Sequence, residues 1–165
     1  MSRLKESLIE LIRRTSAEIP DDVQSAILRG LQQEKEGTIA KSALEIIERN
    51  IDLAKRKSQP LCQDTGRILF YVDCPVGLNQ VDFTNEAQEA VKEATRLGFL
   101  RQNSVDSITG KNDGTNLGPG SPNLHFHQHN IRFLCNLYIP KIILLYLRFQ
   151  KQHRSTLYFS VGLKN

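Results

Sequence analysis

Between residues 2 and 54, apolar side chains return at helical spacing, and Pro20 and Gly37 cut the run into three pieces. Leu4, Leu8, Leu11, Ile12 and Thr15 share one face of the first piece, the pattern of an amphipathic helix lying on a core. Pro20 ends it, because proline lacks the amide hydrogen a helix interior needs. Asp21 or Asp22 is placed to cap a second helix, in which Val23, Ile27 and Leu31 recur every four residues and which Gly37 should stop. Thr38 opens a third, with Ile39, Ala43, Ile46 or Ile47, Asn50 and Ala54 on one side. The pattern predicts an N-terminal helical bundle.

The texture changes after Lys57. Residues 58–66 form a polar loop holding Pro60 and Gly66, and Ile68-Leu69-Phe70-Tyr71-Val72 is a compact β-prone run that predicts a strand. Pro75 and Gly77 turn the chain. Asp82 or Thr84 should then cap a helix carrying Phe83, Ala87, Ala90, Val91, Ala94 and Leu97, with Gly98 just past its end. Residues 101–122 contain five Asn or Asp and four Gly, which predicts a long loop of the functional kind. Leu124 and Phe126 suggest a further short strand. The fold class expected is mixed α and β, with helices first and an α/β portion with long active-site loops after them.

Composition matters chiefly because it is uneven. The net charge of +4 hides residues 1–127, with 16 Lys and Arg against 18 Asp and Glu, and residues 128–165, with six basic residues and no acid. Ordinary composition would give the second segment roughly five acids. That segment also lacks Ala, yet holds three of the four Tyr. Three cysteines, Cys62, Cys74 and Cys135, are an odd number without repeated spacing, so a reducing compartment is expected rather than a disulfide framework. Acids and bases mix from Lys5 onward, unlike a secretory leader. The longest apolar run after residue 128 is six residues between Lys141 and Arg148, where a membrane span needs about 20. A cytoplasmic protein is the expectation.

Chemistry concentrates in Cys62-Gln63-Asp64-Thr65-Gly66, which sets one soft ligand beside an amide, a carboxylate and a backbone hinge. A lone Cys is commonly an inert small hydrophobe. This one lies in a polar loop, where a thiolate can hold an iron–sulfur cluster. Gln63 and Asp64 can be simple turn residues or can hydrogen-bond a ligand. A second polar block follows, Arg101-Gln102-Asn103-Ser104-Val105-Asp106, then Gly110-Lys111-Asn112-Asp113-Gly114-Thr115-Asn116. The latter lacks the spacing of a phosphate-binding loop and does not join a strand to a helix.

Together these blocks resemble the alpha region of the iron–sulfur hydro-lyases, the class I fumarate hydratases and L(+)-tartrate dehydratases. The resemblance runs from about Ser2 to Phe126. It implies Cys62 as one of three thiolate ligands of a [4Fe-4S] cluster, with Gln63, Asp64 and Arg101 binding substrate. The guanidinium of Arg101 offers a planar fork matched to carboxylate, and Asn103 would fix its loop or add a donor. Lys111, Asn112 and Asn116 match the family pattern without a specific role. His125 matches a family His-Phe pair and reads as structural. His125, His127 and His129 alternate along a strand, but two of the three fall where the resemblance fails, so no metal site is expected there.

The implied reaction is reversible hydration of fumarate to L-malate, with L(+)-tartrate dehydratase or a non-catalytic binding module as alternatives. Expected partners are a small dicarboxylate and a beta subunit or missing C-terminal region, in a homo- or hetero-oligomer, with neither nucleic acid nor membrane. Residues 1–127 then form an incomplete family domain, without the family's other cluster cysteines or its catalytic base, and so inactive alone. Residues 128–165 would be an anomalous basic segment. A shifted reading frame, a true basic tail and ordinary divergence each account for its composition, the first being the expectation.

Overall fold

The computed structural model describes residues 2–62, 67–106, 108–129 and 134–138. Their elements run α1 (Arg3–Ala17), α2 (Asp21–Gln33), α3 (Ile39–Lys57), β1 (Leu69–Pro75), α4 (Gln80–Arg96), β2 (Asn123–His129) and β3 (Leu134–Tyr138). The class is mixed α and β, with helices first.

A small sheet organises the larger core. Its order is β2-β1-β3, with β1 parallel to β2 and antiparallel to β3. Phe70, Val72 and Cys74 alternate along β1 and are wholly buried, while Tyr71 is exposed. Period two alone therefore assigns β1 one covered and one open face. The register sets Phe70 beside Leu124 and Val72 beside Phe126, so β2 extends the same apolar face. Leu8, Leu11 and Ile12 of α1 and Phe83, Ala87, Ala90, Val91 and Ala94 of α4 cover it. Phe83 meets Phe126 edge-on at 5.7 Å between ring centroids. Each large side chain so buried contributes about 1.5–3 kcal/mol. On the open face Tyr71 stacks on His125 at 5.0 Å between ring centroids.

The three N-terminal helices do not form one bundle. α1 touches α3 but packs mainly on α4, whereas α2 and α3 pair with each other. Ile27, Ile51, Ala54 and Leu61 make a second, separate core. The reason lies in α1 itself, whose apolar face is fully consumed by the sheet layer. Its N-terminus is fastened there too, since the Ser2 hydroxyl accepts from Lys5 N–H and donates to Glu86 on α4 at 2.7 Å.

Caps differ from expectation at three ends. Pro20, not Asp21 or Asp22, is the N-cap of α2, and both aspartates sit in the first turn, where carboxylates favour the positive end of the helix. α2 stops at Gln33, so Gly37, at φ 76°, belongs to the following turn. Asn79, not Asp82 or Thr84, caps α4 by accepting from the amides of Val81 and Asp82. Thr38 caps α3 as expected. Of the residues assigned to the inner side of α3, Ile47 and Ala54 are packed, but Ile39 and Ile46 are exposed. Leu97 is the C-cap of α4 and half-exposed rather than core.

The sheet reaches into the compositionally odd segment. β2 runs through His129, and β3 lies wholly beyond residue 128. Residues 139–165 are outside the described residues.

Candidate active site

Cys62 follows a residue held in three ways. α3 ends on Ser58, whose left-handed backbone at φ 51° sends the chain back along the helix. Leu61 is then buried, its N–H donates to the Ser16 carbonyl at 3.0 Å, and its carbonyl accepts from Asn50 Nδ2 at 3.1 Å. Leu61 thus ties α1 and α3 together and fixes where Cys62 begins. Cys62 itself is partly exposed, with a free thiol. Gln63 and Asp64, expected to contact substrate, lie outside the described residues. Cys74 is also a free thiol but is fully enclosed beneath the helices.

Arg101 starts the long loop, and both flanks of that start are fixed. Past α4, Gly98 at φ 79° lets its N–H reach Thr95 O at 3.1 Å while Phe99 N–H reaches Ala94 O at 2.9 Å. This double closure needs a left-handed residue, which only glycine adopts freely. Leu100 is buried next, and Arg101 emerges exposed.

Asn116 holds the loop from the other side. It is buried, at φ 57°, and both ends of its side-chain amide are hydrogen-bonded within the protein. Its Oδ1 accepts from the amides of Asn103 and Ser104, both at 3.2 Å. Its Nδ2 donates to Arg101 O at 2.7 Å and to Thr95 Oγ1 at 3.1 Å. One side chain therefore clamps the backbone of residues 101–104 onto α4. Asn112 adds a bond from Nδ2 to Gln102 O at 2.6 Å, and Leu117 packs against the main core.

A cleft of about 660 Å³ opens in this loop, lined by Arg67, Ser104, Asp106, Lys111 and Asp113 among others. Asp106 accepts from the Thr109 amide at 2.6 Å, the Thr109 hydroxyl at 2.9 Å and the Ile108 amide at 3.0 Å. The Thr109 amide and hydroxyl, then the Ile108 amide, hold its carboxyl below the usual aspartate range. Thr115 does the same for Asp113, through its hydroxyl first and its amide second. Both carboxylates thus stay ionised as turn-formers, and Arg67 and Lys111 line the same cleft.

Neither Cys62 nor Arg101 is among the residues lining the cleft. Sequence reading located Cys62 and Arg101 on loops, as observed. It gave Asn116 no role and passed over Thr95 and Arg67. No local signal pointed to Asn116, because the buried Thr95 hydroxyl that it meets already donates to Val91 O at 2.8 Å within α4. Among the described residues, no group of three or more His, Cys, Asp and Glu side chains converges as a metal site. No described helix is long and apolar enough to cross a membrane.

The profile of the fumarate hydratase (fumerase) family matches residues 5–136. The chain belongs to that family. Fumarate hydratases and their relatives are hydro-lyases, and the match ends ten residues past Phe126, beyond where the motifs alone placed it. A protein of Geobacillus stearothermophilus named as a class I fumarate hydratase is 45% identical over 128 residues, covering 78% of this chain and 25% of the relative. One of Methanocaldococcus jannaschii, named as the alpha subunit of an L(+)-tartrate dehydratase, is 31% identical over 144 residues, covering 84% of this chain and 50% of the relative. The L(+)-tartrate dehydratase alpha subunit of Escherichia coli K12 is 32% identical over 126 residues, covering 74% and 40%. The chain therefore spans between a quarter and a half of the length of these fumarate hydratase and tartrate dehydratase relatives.

Proposed function

We propose that the chain supplies the N-terminal part of the alpha region of a class I fumarate hydratase, for the reversible hydration of fumarate to L-malate. The observation that carries this reading is the combination of family membership with a partly exposed Cys62 fixed by its anchored neighbour Leu61. A cluster ligand must be a thiolate, and it must be reachable. Cys62 is reachable, whereas Cys74 is sealed in the core. The donor set thus fits a [4Fe-4S] cluster at one position, and the other thiolates come from outside the described residues or from another polypeptide. When bound, such a cluster supplies Lewis-acid polarisation of substrate oxygens.

The remaining chemistry in this reading belongs to the chain's own side chains. Arg101 grips a substrate carboxylate through its planar fork, and Gln63 and Asp64 hydrogen-bond the bound acid. Asn116 keeps the backbone of the loop that carries Arg101 in one conformation, so less ordering is left for the moment of binding. The catalytic base is assigned to the portion of the relatives that this chain does not span, in the same polypeptide or in a beta subunit. The name of the tartrate dehydratase relatives, subunit alpha, supports such a partner. It equally supports a second reading, L(+)-tartrate dehydratase, with the same residues in the same roles. The anomalous basic segment is proposed to begin after β3, since that strand pairs with β1.

A chimaera tests the proposal directly. Residues 2–126 replace the matching segment of the Geobacillus stearothermophilus relative, and fumarate and L(+)-tartrate turnover are compared after anaerobic reconstitution. Cys62→Ser is expected to remove the visible cluster absorbance and nearly all turnover, while Cys74→Ala keeps both. Arg101→Lys keeps the charge and loses the fork, so kcat/KM should fall about tenfold to a few hundredfold, with the cluster intact. Full cluster occupancy in Cys62→Ser would overturn the ligand assignment. A cluster-free chimaera would leave only the binding module.

A further inference from the structure

Asn50 is the polar member of an otherwise apolar line on α3. Its neighbours Ile51 and Ala54 belong with Leu61 to the second core, while Asn50 itself is exposed. Asparagine is among the poorer helix formers, so at an exposed position inside a helix it costs what alanine would not. What it gains is one bond, from its Nδ2 to the Leu61 carbonyl at 3.1 Å.

That carbonyl belongs to the peptide group joining Leu61 to Cys62. The group is planar, so a bond to its oxygen also orients its nitrogen and places the Cys62 Cα. The preceding peptide group is held by another helix, because the Leu61 N–H donates to Ser16 O of α1 at 3.0 Å. Both planes that flank the Leu61 Cα are thus fixed, one by α1 and the other by α3, while the Leu61 side chain is buried. Upstream, Arg13 Nη1 donates to the Ser58 hydroxyl at 3.1 Å and the Gln59 N–H to Ala54 O at 3.1 Å. Pro60 has its φ set by the ring. After these holds, only the rotations about N–Cα and Cα–Cβ of Cys62 decide where its sulfur sits.

We infer that Asn50 is a positioning residue, orienting the Leu61–Cys62 peptide so that the Cys62 thiolate is presented in one place to an iron–sulfur cluster. The inference rests on the reading of Cys62 as a cluster ligand. A thiolate already in place loses less freedom on ligation, and outer partners of this kind are what orient metal ligands.

Two variants test it. Asn50→Asp keeps the shape but turns a carboxylate oxygen toward the carbonyl, and Asn50→Ala removes the donor while supplying a better helix former. In the full chain, reduced and free of iron, amide exchange at Leu61 should quicken about two- to tenfold in both. That is the change one net hydrogen bond makes in an open–closed ratio. Exchange in β1 and the helical circular dichroism should stay as they are, since Asn50 lies outside both cores. In the chimaera carrying residues 2–126, an iron chelator should bleach the cluster's visible absorbance about two- to tenfold faster than in the parent. Parental exchange at Leu61 in both variants would overturn the inference. So would faster exchange with bleaching at the parental rate, which is what a role in the fold alone predicts. Cys62→Ser separates the two levels. If it forms no cluster while the Asn50 variants hold theirs as the parent does, the ligand assignment stands and the positioning role fails. If Cys62→Ser keeps a full cluster, the ligand assignment falls and the positioning role with it.

Discussion

Replacing Asn116 by Ala removes four hydrogen bonds at once, two accepted from the amides of residues 103 and 104 and two donated to Arg101 O and Thr95 Oγ1. At about 0.5–1.5 kcal/mol for each net bond, the loss would be about 2–6 kcal/mol. The loop backbone is only part-buried, so water recovers some of it, and about 2–4 kcal/mol remains. The backbone adds to this. Asn116 sits at φ 57°, which Asn tolerates and Ala does not, at a cost of about 1 kcal/mol. The expected destabilisation is about 3–5 kcal/mol by urea unfolding. Asn116→Gly loses the same bonds without the backbone strain and should be about 1 kcal/mol less harmful. Amide hydrogen exchange reports the mechanism locally, because the Asn103 and Ser104 amides should lose protection in both variants. A change within about 0.5 kcal/mol, or undisturbed exchange at those two amides, would refute the clamp.

Phe70, wholly buried at the centre of the sheet, should cost about 3–5 kcal/mol as Phe70→Ala in the same unfolding assay. At Gly98 an added Cβ would meet nothing within 4 Å, but φ is 79°, so Gly98→Ala should cost about 1 kcal/mol from backbone strain alone, with unchanged sheet signals by NMR. Asp106 should titrate below the usual aspartate range by NMR, and Thr109→Ala should raise its pKa by removing the hydroxyl donor at 2.9 Å. A lowered folded pKa means that its turn is favoured above the ordinary aspartate value and loses that support as pH falls through the lowered one. Amide exchange at Ile108 and Thr109 should therefore quicken only in acid.

Periodicity in the sequence determined the existence and type of the four helices and of β1, and Leu124 and Phe126 suggested β2, whereas β3 was not foreseen in a segment read as anomalous. Leu8, Leu11 and Ile12 recur at 3.6, Phe70, Val72 and Cys74 at two, and those periods hold whatever the chain packs against. The long loop was legible for a related reason, since five Asn or Asp and four Gly leave too little apolar surface to bury. Cys62 and Arg101 stood out because the polar blocks that hold them resemble those of the family. What the sequence left open depends on which surfaces meet. Nothing local says that α1 leaves α2 and α3 to join α4, because one apolar stripe fits any partner of the same width. The stripe of α3 was read as a single face, yet its width exceeds one contact, and only packing divides it into a covered line through Ile51 and an open one through Ile46. Asn116 is the sharpest case. Its partners lie twelve to twenty-one residues away, and an asparagine becomes a clamp only when the fold removes water from around it and brings those donors and acceptors within reach.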